Sequence, residues 1–176
     1  TQCKLNMLYN LNIMLPEIFL SLSIFTILML GVFLKKSFNI IFNLTTLIMI
    51  ITMAIILSSS NDEVKIFLNS FTRDAFSNYF KILILLSAIF VLNSSKNFII
   101  HNKLDKFEYP IIVLLSILGM FFMVSSNDLI LFYLGLELQS LSLYILATID
   151  RDNLRSTESG IKYFVLSALS SGLLLY

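Results

Sequence analysis

The chain has 176 residues, of which 57% are hydrophobic and only 13% are charged, and its formal net charge is +1. A mean hydropathy of +0.89 is too apolar for a soluble domain of this size and indicates an integral membrane protein. The charge balance offers no basic surplus of the kind that binds nucleic acid. The single cysteine, Cys3, excludes a disulfide framework and a cysteine-based metal site.

Six apolar stretches are long enough to cross a bilayer core of roughly 30 Å as helices. They lie at about residues 15–34, 38–57, 78–100, 108–125, 128–149 and 157–176. Pro16 and Glu17 suit the first turn of the first helix, because proline lacks only an N–H without a helical partner and an acid favours the positive helix start. Residues 1–176 are therefore predicted to form a single all-α membrane domain.

Residues 61–78 form the longest connection between the predicted helices. Charged residues alternate there with apolar ones, a pattern that favours a short interfacial segment lying on the membrane surface.

The basic residues predict the orientation of the chain, because their excess in short loops marks the inner side of a membrane. With the N-terminus outside, the inner loops hold seven of them: Lys35, Lys36, Lys96, Lys103, Lys106, Arg151 and Arg155. The outer segments then hold three: Lys4, Lys65 and Arg73. We therefore expect the N-terminus outside.

Glu137 stands about nine residues into the fifth stretch, so at ~1.5 Å per residue it lies roughly 14 Å deep, near the bilayer midplane. A charge there costs ~2.5–3.5 kcal/mol on insertion scales and usually marks an ion pathway. Tyr133, Ser140 and Tyr144 share its helix face and could hydrogen-bond water beside the acid. The pattern favours proton transfer; the alternative is that Glu137 only hydrogen-bonds a neighbouring helix.

Lys162 leaves two interpretations open. It follows a predicted capping region at Ser156 and Thr157, only ~8 Å in from the inner end of the sixth helix. Glu158, one turn earlier, is a favourable partner for a tethered surface lysine. A buried lysine, however, readily changes protonation state and can carry a proton.

Two further titratable side chains, Lys81 and His101, are not expected to take part in proton transfer. Lys81, near the start of the third helix, is expected to snorkel to the interface. His101, the only histidine, is expected to be solvated in an inner loop. The sequence contains no phosphate loop, dinucleotide fingerprint or haem-ligand pair, so we expect no covalent or redox chemistry on this chain.

The segment from Glu108 to Tyr176 includes SSNDLILFYLGLELQSLSLY around Glu137 and closely resembles the NADH dehydrogenase subunit 2 family, antiporter-like membrane subunits of respiratory complex I. The strings LPE at 15–17 and DAFSNYFK at 74–81 extend the resemblance more weakly. The resemblance implies a helical bundle of the antiporter-like, inverted-repeat type.

The resemblance also implies roles for the two charges in the fifth and sixth helices. Glu137 matches the family's fifth-helix glutamate and Lys162 its sixth-helix lysine, a pair thought to begin the proton path. Quinone reduction elsewhere would change the attraction between them, so that Lys162 gives or takes a proton. NADH, FMN, iron–sulfur clusters and ubiquinone would be bound by other subunits of this NADH:ubiquinone reductase, with no cofactor or metal on this chain.

Family members are much longer than this chain, which therefore resembles the N-terminal part of a split subunit. The expected partners are the other membrane-arm subunits, lipids and a separate chain carrying the C-terminal part. The residue bias favours the mitochondrial inner membrane, with the N-terminus in the intermembrane space. Two alternatives are a cation/proton antiporter subunit and a structural membrane-arm piece without its own proton path.

Overall fold

The computed structural model describes residues 13–33, 38–59, 63–102, 104 and 106–176, and within these ranges the chain forms six helices and a small β-hairpin. The helices are α1 (Leu15–Phe33), α2 (Phe38–Ser58), α3 (Ala75–His101), α4 (Glu108–Ser125), α5 (Leu129–Ala147) and α6 (Leu154–Leu175). The hairpin consists of β1 (Val64–Ile66) and β2 (Phe71–Arg73). Each helix begins and ends within about three residues of its predicted bounds, and the predicted helical membrane fold is confirmed.

Helices α1 to α5 are each long and apolar enough to cross a membrane. Helix α6 has 22 residues but carries Arg155, Glu158 and Lys162 in its first nine, which lowers its mean hydropathy. It packs against α5 and leaves most of its apolar side chains exposed. The sequence predicted six membrane-spanning helices. By length and composition, five of the described helices, α1 to α5, meet the requirements for a span, and α6 does not.

Helix α4 is the central helix of the bundle, because α1, α2, α3 and α5 all pack against it. Its buried side chains meet large apolar residues from three neighbours. The fully buried core includes Leu20, Ile27, Ile41, Met49, Leu85, Leu92, Leu114 and Phe121. Since lipid tails are as apolar as these side chains, it is close packing that holds the helices together.

The connection between α2 and α3 differs from the predicted interfacial segment at 61–78. Strands β1 and β2 pair antiparallel, with Ile66 opposite Phe71, and Phe71 also forms a bridge with Ser126 at the end of α4. Ile66 and Phe71 are buried, so the hairpin folds down onto one end of the bundle. We call this the hairpin end; the N-terminus of α1 and the C-terminus of α4 lie there.

Helix α3 begins at Ala75, three residues earlier than predicted. The backbone N–H of Asp74 donates to Ser77 Oγ at 2.9 Å, which satisfies a donor just before the helix starts. Lys81 therefore lies six residues beyond the first helical residue, about two turns deep.

Candidate functional site

Glu137 is the ninth of the 19 residues of α5, near the middle of the helix as predicted. The side chain is half-buried, and its Oε2 atom is buried without a hydrogen-bond partner among the described residues. A carboxylate oxygen in that position retains its full capacity to accept a proton or a hydrogen bond. Glu137 is the only carboxylate in α5.

Tyr133, Ser140 and Tyr144, the hydroxyl stripe on the face of Glu137, differ in whether their hydroxyl groups are free to bind water. Ser140 Oγ donates to the backbone oxygen of Glu137 at 2.9 Å, so its proton is engaged. Tyr144 is only 6% exposed, and its hydroxyl has no partner within the described part of the chain. Tyr133 is half-buried. Glu137 and Tyr144 thus place two polar atoms without hydrogen-bond partners in the described structure on one face of α5.

Tyr144 also joins α5 to α6. Its ring meets those of Tyr163 and Phe164 edge-on, with centroid distances of 4.8 and 5.6 Å. Near the turn between the helices, Gly160 lies directly against the Thr148 side chain, leaving no space for a Cβ atom. These contacts fix the antiparallel register of the two helices.

The register shows that Glu137 and Lys162 are at different depths. Extending the contacts of Tyr144 with Tyr163 and Phe164 along both helices puts Lys162 level with residue 146, nine residues from Glu137. At ~1.5 Å per residue this is roughly 14 Å along the axis. The structure does not bring the two charges into contact.

Lys162 instead pairs with Glu158, at 2.5 Å, and both side chains are about two-thirds exposed. Of the two interpretations left open by the sequence, this geometry corresponds to the tethered surface lysine. The expected cap at Ser156 and Thr157 is wrong. Asn153 caps α6 by accepting from the Arg155 N–H at 3.0 Å, and Lys162 therefore lies roughly 12 Å into the helix, not ~8 Å.

A second pair of charges, which sequence reasoning missed, lies at the hairpin end. Lys81 Nζ is 2.5 Å from Glu17 Oε1, and each side chain is only 1% exposed. The expectation that Lys81 snorkels to the interface is therefore wrong, because its ammonium group is sealed inside the bundle. The only hint in the sequence was that Glu17 and Lys81 each lie near the same predicted end of a membrane helix.

Aromatic rings complete the surroundings of this pair. The Lys81 ammonium lies 5.5 Å from the ring centroid of Phe71, on the hairpin, and 5.8 Å from that of Phe121, on α4. Both distances are within the range of a cation–π attraction. Three elements besides α3 therefore meet at the ammonium group.

The opposite end of the bundle has two adjoining cavities of about 130 and 350 Å³, which share Glu108, Ile112 and Ile145. Arg151 pairs with Glu108 there at 3.3 Å on the surface. His101, the last residue of α3, is exposed as expected. Within the described ranges, no group of three His, Cys, Asp or Glu side chains could hold a metal ion.

Residues 126–176, which include Glu137 and Lys162, match the family model described as "NADH:quinone oxidoreductase/Mrp antiporter, TM". The chain is 52% identical over 168 residues to subunit N of NADH-quinone oxidoreductase from Pelagibacter ubique, covering 95% of the chain and 36% of that protein. The corresponding subunit of Bartonella bacilliformis is 48% identical over 165 residues, with coverage of 93% and 34%. The chain thus spans about a third of the length of these curated relatives.

Two solved structures share this fold. A chain in respiratory complex I from Thermus thermophilus with bound aureothin matches with a TM-score of 0.76 and 26% identity, over 92% of this chain and 35% of that one. A chain of an archaeal membrane-bound sulfane sulfur reductase matches with a TM-score of 0.73 at 20% identity, covering 93% of this chain and 34% of that one. The second likeness concerns the fold alone.

Proposed function

We propose that this chain belongs to the family of antiporter-like membrane subunits of NADH-quinone oxidoreductase, matching the N-terminal part of subunit N, and that it translocates protons in the membrane arm of such a complex. The observation that carries the proposal is the buried, unpartnered Oε2 of Glu137 in the middle of α5. It lies within the segment that matches the family model.

In this proposal Glu137 is the proton acceptor and donor of the site. Its Oε2 takes a proton from water reaching this face of α5. The Tyr144 hydroxyl, about two turns further along the same face and without a hydrogen-bond partner among the described residues, can hydrogen-bond water on the way to it. In general, opposite charge near a carboxyl group favours its ionised form, and removal of that charge favours its protonated form. A change in the surrounding charge therefore loads or unloads the proton.

Lys162 supplies the changing charge through its field, since direct contact with Glu137 is out of reach. At roughly 14 Å and an effective dielectric constant of about 20, two unit charges interact by ~1 kcal/mol. Glu158, at 2.5 Å, competes for the same ammonium group. Release of Lys162 from Glu158 would strengthen its action on the α5 site, so we assign Glu158 the role of a holding partner.

The partners follow from the same proposal. The neighbours are the other membrane-arm subunits, and NADH, FMN, iron–sulfur clusters and ubiquinone bind elsewhere in the complex. The relatives reported above are bacterial and give no support to the mitochondrial assignment, so we place the chain in a respiratory membrane with the hairpin end outside. The predicted separate C-terminal chain is tested by the mass of the subunit in the purified complex.

Glu137→Gln tests the function directly. The variant keeps the shape of the side chain but cannot release a proton, so we expect an assembled complex whose proton-to-electron ratio falls in reconstituted vesicles. Lys162→Met should also lower the proton-to-electron ratio. It should leave the packing of the bundle intact, because the Lys162 side chain is mostly exposed. Glu108→Gln, at the exposed pair with Arg151, is the matched control. Undiminished pumping by Glu137→Gln would reject the proposal.

A cation/proton antiporter subunit is the second candidate, because the description of the matching family model names Mrp antiporters as well. Both functions use a membrane-embedded carboxylate. Purification of the native complex in mild detergent separates them: redox subunits that co-purify with the chain support complex I, and their absence supports the antiporter. A third possibility, a purely structural piece, predicts that Glu137→Gln affects assembly or nothing.

A further inference from the structure

We propose that Glu17 and Lys81 form a second protonatable site, which exchanges a proton with the aqueous phase at the hairpin end of the bundle. The inference rests on the proposed proton-translocating function but concerns other residues. It starts from the position of the pair, which joins α1 to α3 through two side chains that are each 1% exposed. Ionisable groups placed so deeply within a membrane protein generally belong to an ion path.

Stability alone does not account for this pair. The attraction between two buried charges offsets their desolvation only when further hydrogen bonds satisfy the remaining polar atoms. Here Glu17 Oε1 meets Lys81, but Oε2 of the same carboxylate is buried without a hydrogen-bond partner among the described residues. Replacing a buried ion pair by well-packed apolar side chains of similar volume is often neutral or stabilising.

A buried polar stripe leads from the hairpin end to the pair. Asp74, Ser77 and Asn78 precede Lys81 by seven, four and three residues, a spacing that puts all four on one face of α3. Ser77 and Asn78 are 2% and 5% exposed, and an atom of Asp74, Oδ1, is buried without a hydrogen-bond partner in the described structure. The same face continues beyond Lys81 with fully buried Leu85 and Leu92, so the polar stripe ends at the pair.

Among the described residues, few other charged side chains lie near this end. Arg73 and Asp74 flank the start of α3 and are largely buried, whereas Glu63 and Lys65 of the hairpin and Asp128 before α5 are exposed. Helix α2 has no titratable side chain, and those of α4, Glu108 and Tyr109, lie at its opposite end. Two carboxylates at this end have a buried oxygen without a hydrogen-bond partner in the described structure: Asp74 at the start of the polar stripe and Glu17 at its end. Glu17, whose side chain is 1% exposed, is the one fully inside the bundle.

The proposed step is a simple proton transfer. A hydronium ion at the hairpin end gives its proton to Glu17 Oε2 and leaves as water, so the site changes from net zero to net +1. The Lys81 ammonium then keeps its attraction to the rings of Phe71 and Phe121, which holds it in place while Glu17 is neutral. Loss of the proton from Oε2 restores the ion pair.

The test compares single and double variants in the purified, reconstituted complex. Lys81→Met or Glu17→Gln alone leaves an uncompensated buried charge or polar group, so each should reduce assembly whatever the role of the pair. The double variant, Glu17→Gln with Lys81→Met, removes both charges. We expect it to assemble and oxidise NADH, but to lose part of the wild-type proton-to-electron ratio. A wild-type ratio in this variant would overturn the proposal.

Two controls make the result specific. Glu108→Gln with Arg151→Met removes the exposed ion pair at the opposite end and should leave the ratio unchanged. Glu137→Gln in the same assay separates the two proposals. If it loses pumping while the Glu17/Lys81 double variant does not, only the present inference fails; if Glu137→Gln pumps normally, the proposed function fails.

A second measurement on the wild-type complex applies if the double variant does not assemble. Dicyclohexylcarbodiimide, an apolar reagent, modifies protonated carboxyl groups in low-dielectric surroundings. We expect peptide mass spectrometry to find Glu17 modified, and exposed Glu63 and Glu108 unmodified. An unmodified Glu17 beside a modified Glu137 would show a permanently ionised pair and overturn the proposal.

Discussion

Gly119 of α4 and Gly135 of α5 bring the backbones of these helices into contact two residues before Glu137. A Cβ atom on Gly119 would lie 2.8 Å from the Gly135 carbonyl oxygen and 2.7 Å from the backbone nitrogen of Gln139. Two residues turn an α-helix by roughly 200°, so Glu137 points away from α4 and shares the face of Tyr144, which contacts α6. The glycine contact therefore orients the carboxylate toward the α5–α6 interface.

Replacing Gly119 by alanine should separate α4 from α5. The added methyl group meets backbone atoms, which cannot yield as a flexible side chain can, and such overpacking typically costs about 1–3 kcal/mol. We expect a lower melting temperature of the complex in detergent. Gly172→Ala is the control, because a Cβ atom there has no other atom within 4 Å and alanine favours helix. Equal melting temperatures for the two variants would contradict this account.

Tyr144→Phe should separate a structural from a functional role of the hydroxyl. The ring contacts with Tyr163 and Phe164 remain, and the buried hydroxyl has no partner in the described structure to lose, so stability should be unchanged or slightly higher. If the hydroxyl binds water on the path to Glu137, proton pumping should slow in this variant. Tyr144→Ala, in contrast, should also lower the melting temperature. Full pumping by Tyr144→Phe would remove the hydroxyl from the path.

The two lysine–glutamate pairs should differ strongly in double-mutant cycles of stability. Breaking the Glu17–Lys81 pair by removing one partner should cost about 3–5 kcal/mol, because a buried charge remains uncompensated. The Glu158–Lys162 pair has the same 2.5 Å separation but is about two-thirds exposed and joins residues four apart on one helix, so its coupling should be about 0.3–0.5 kcal/mol. Similar coupling energies would contradict the burial seen here.

Leu68→Gly should stabilise the hairpin. Phe67, Leu68 and Asn69 have φ angles of 52°, 55° and 69°, a left-handed conformation that disfavours side chains other than glycine and asparagine. Leu68 is fully exposed, so its side chain contributes no buried contact. We expect a gain of about 1 kcal/mol, measured as slower hydrogen exchange of the hairpin amides. Thr72→Gly, in strand β2, should have the opposite effect.

The helices could be predicted from the sequence because the bilayer sets their length and the apolar runs mark them directly. Glu137 was also predictable, since one charge in the middle of an apolar helix is a local signal. The depth of Lys162 was wrong by about one turn because Asn153 proved to be the cap, a choice among several adjacent polar residues that local spacing does not decide.

The Glu17–Lys81 pair could not be predicted in the same way. Its partners are 64 residues apart, and each alone has an ordinary explanation: an acid suits a helix start, and a lysine near a helix end can snorkel. Their meeting depends on α1 and α3 lying side by side and on Phe71 covering the end of α3. The short strands of the hairpin likewise depend on pairing with each other and with Ser126.

The 64 residues between Glu17 and Lys81 also affect how the chain is inserted into the membrane during synthesis. Glu17 leaves the ribosome 64 residues before Lys81, an interval of roughly 3–13 s at ~5–20 residues per second. During that time α1 carries a carboxylate whose lysine partner has not yet been made, and burying that charge without its partner is unfavourable. Helix α1 should therefore wait beside the insertion machinery until α3 arrives, so that it reaches its final place later than its order of synthesis suggests.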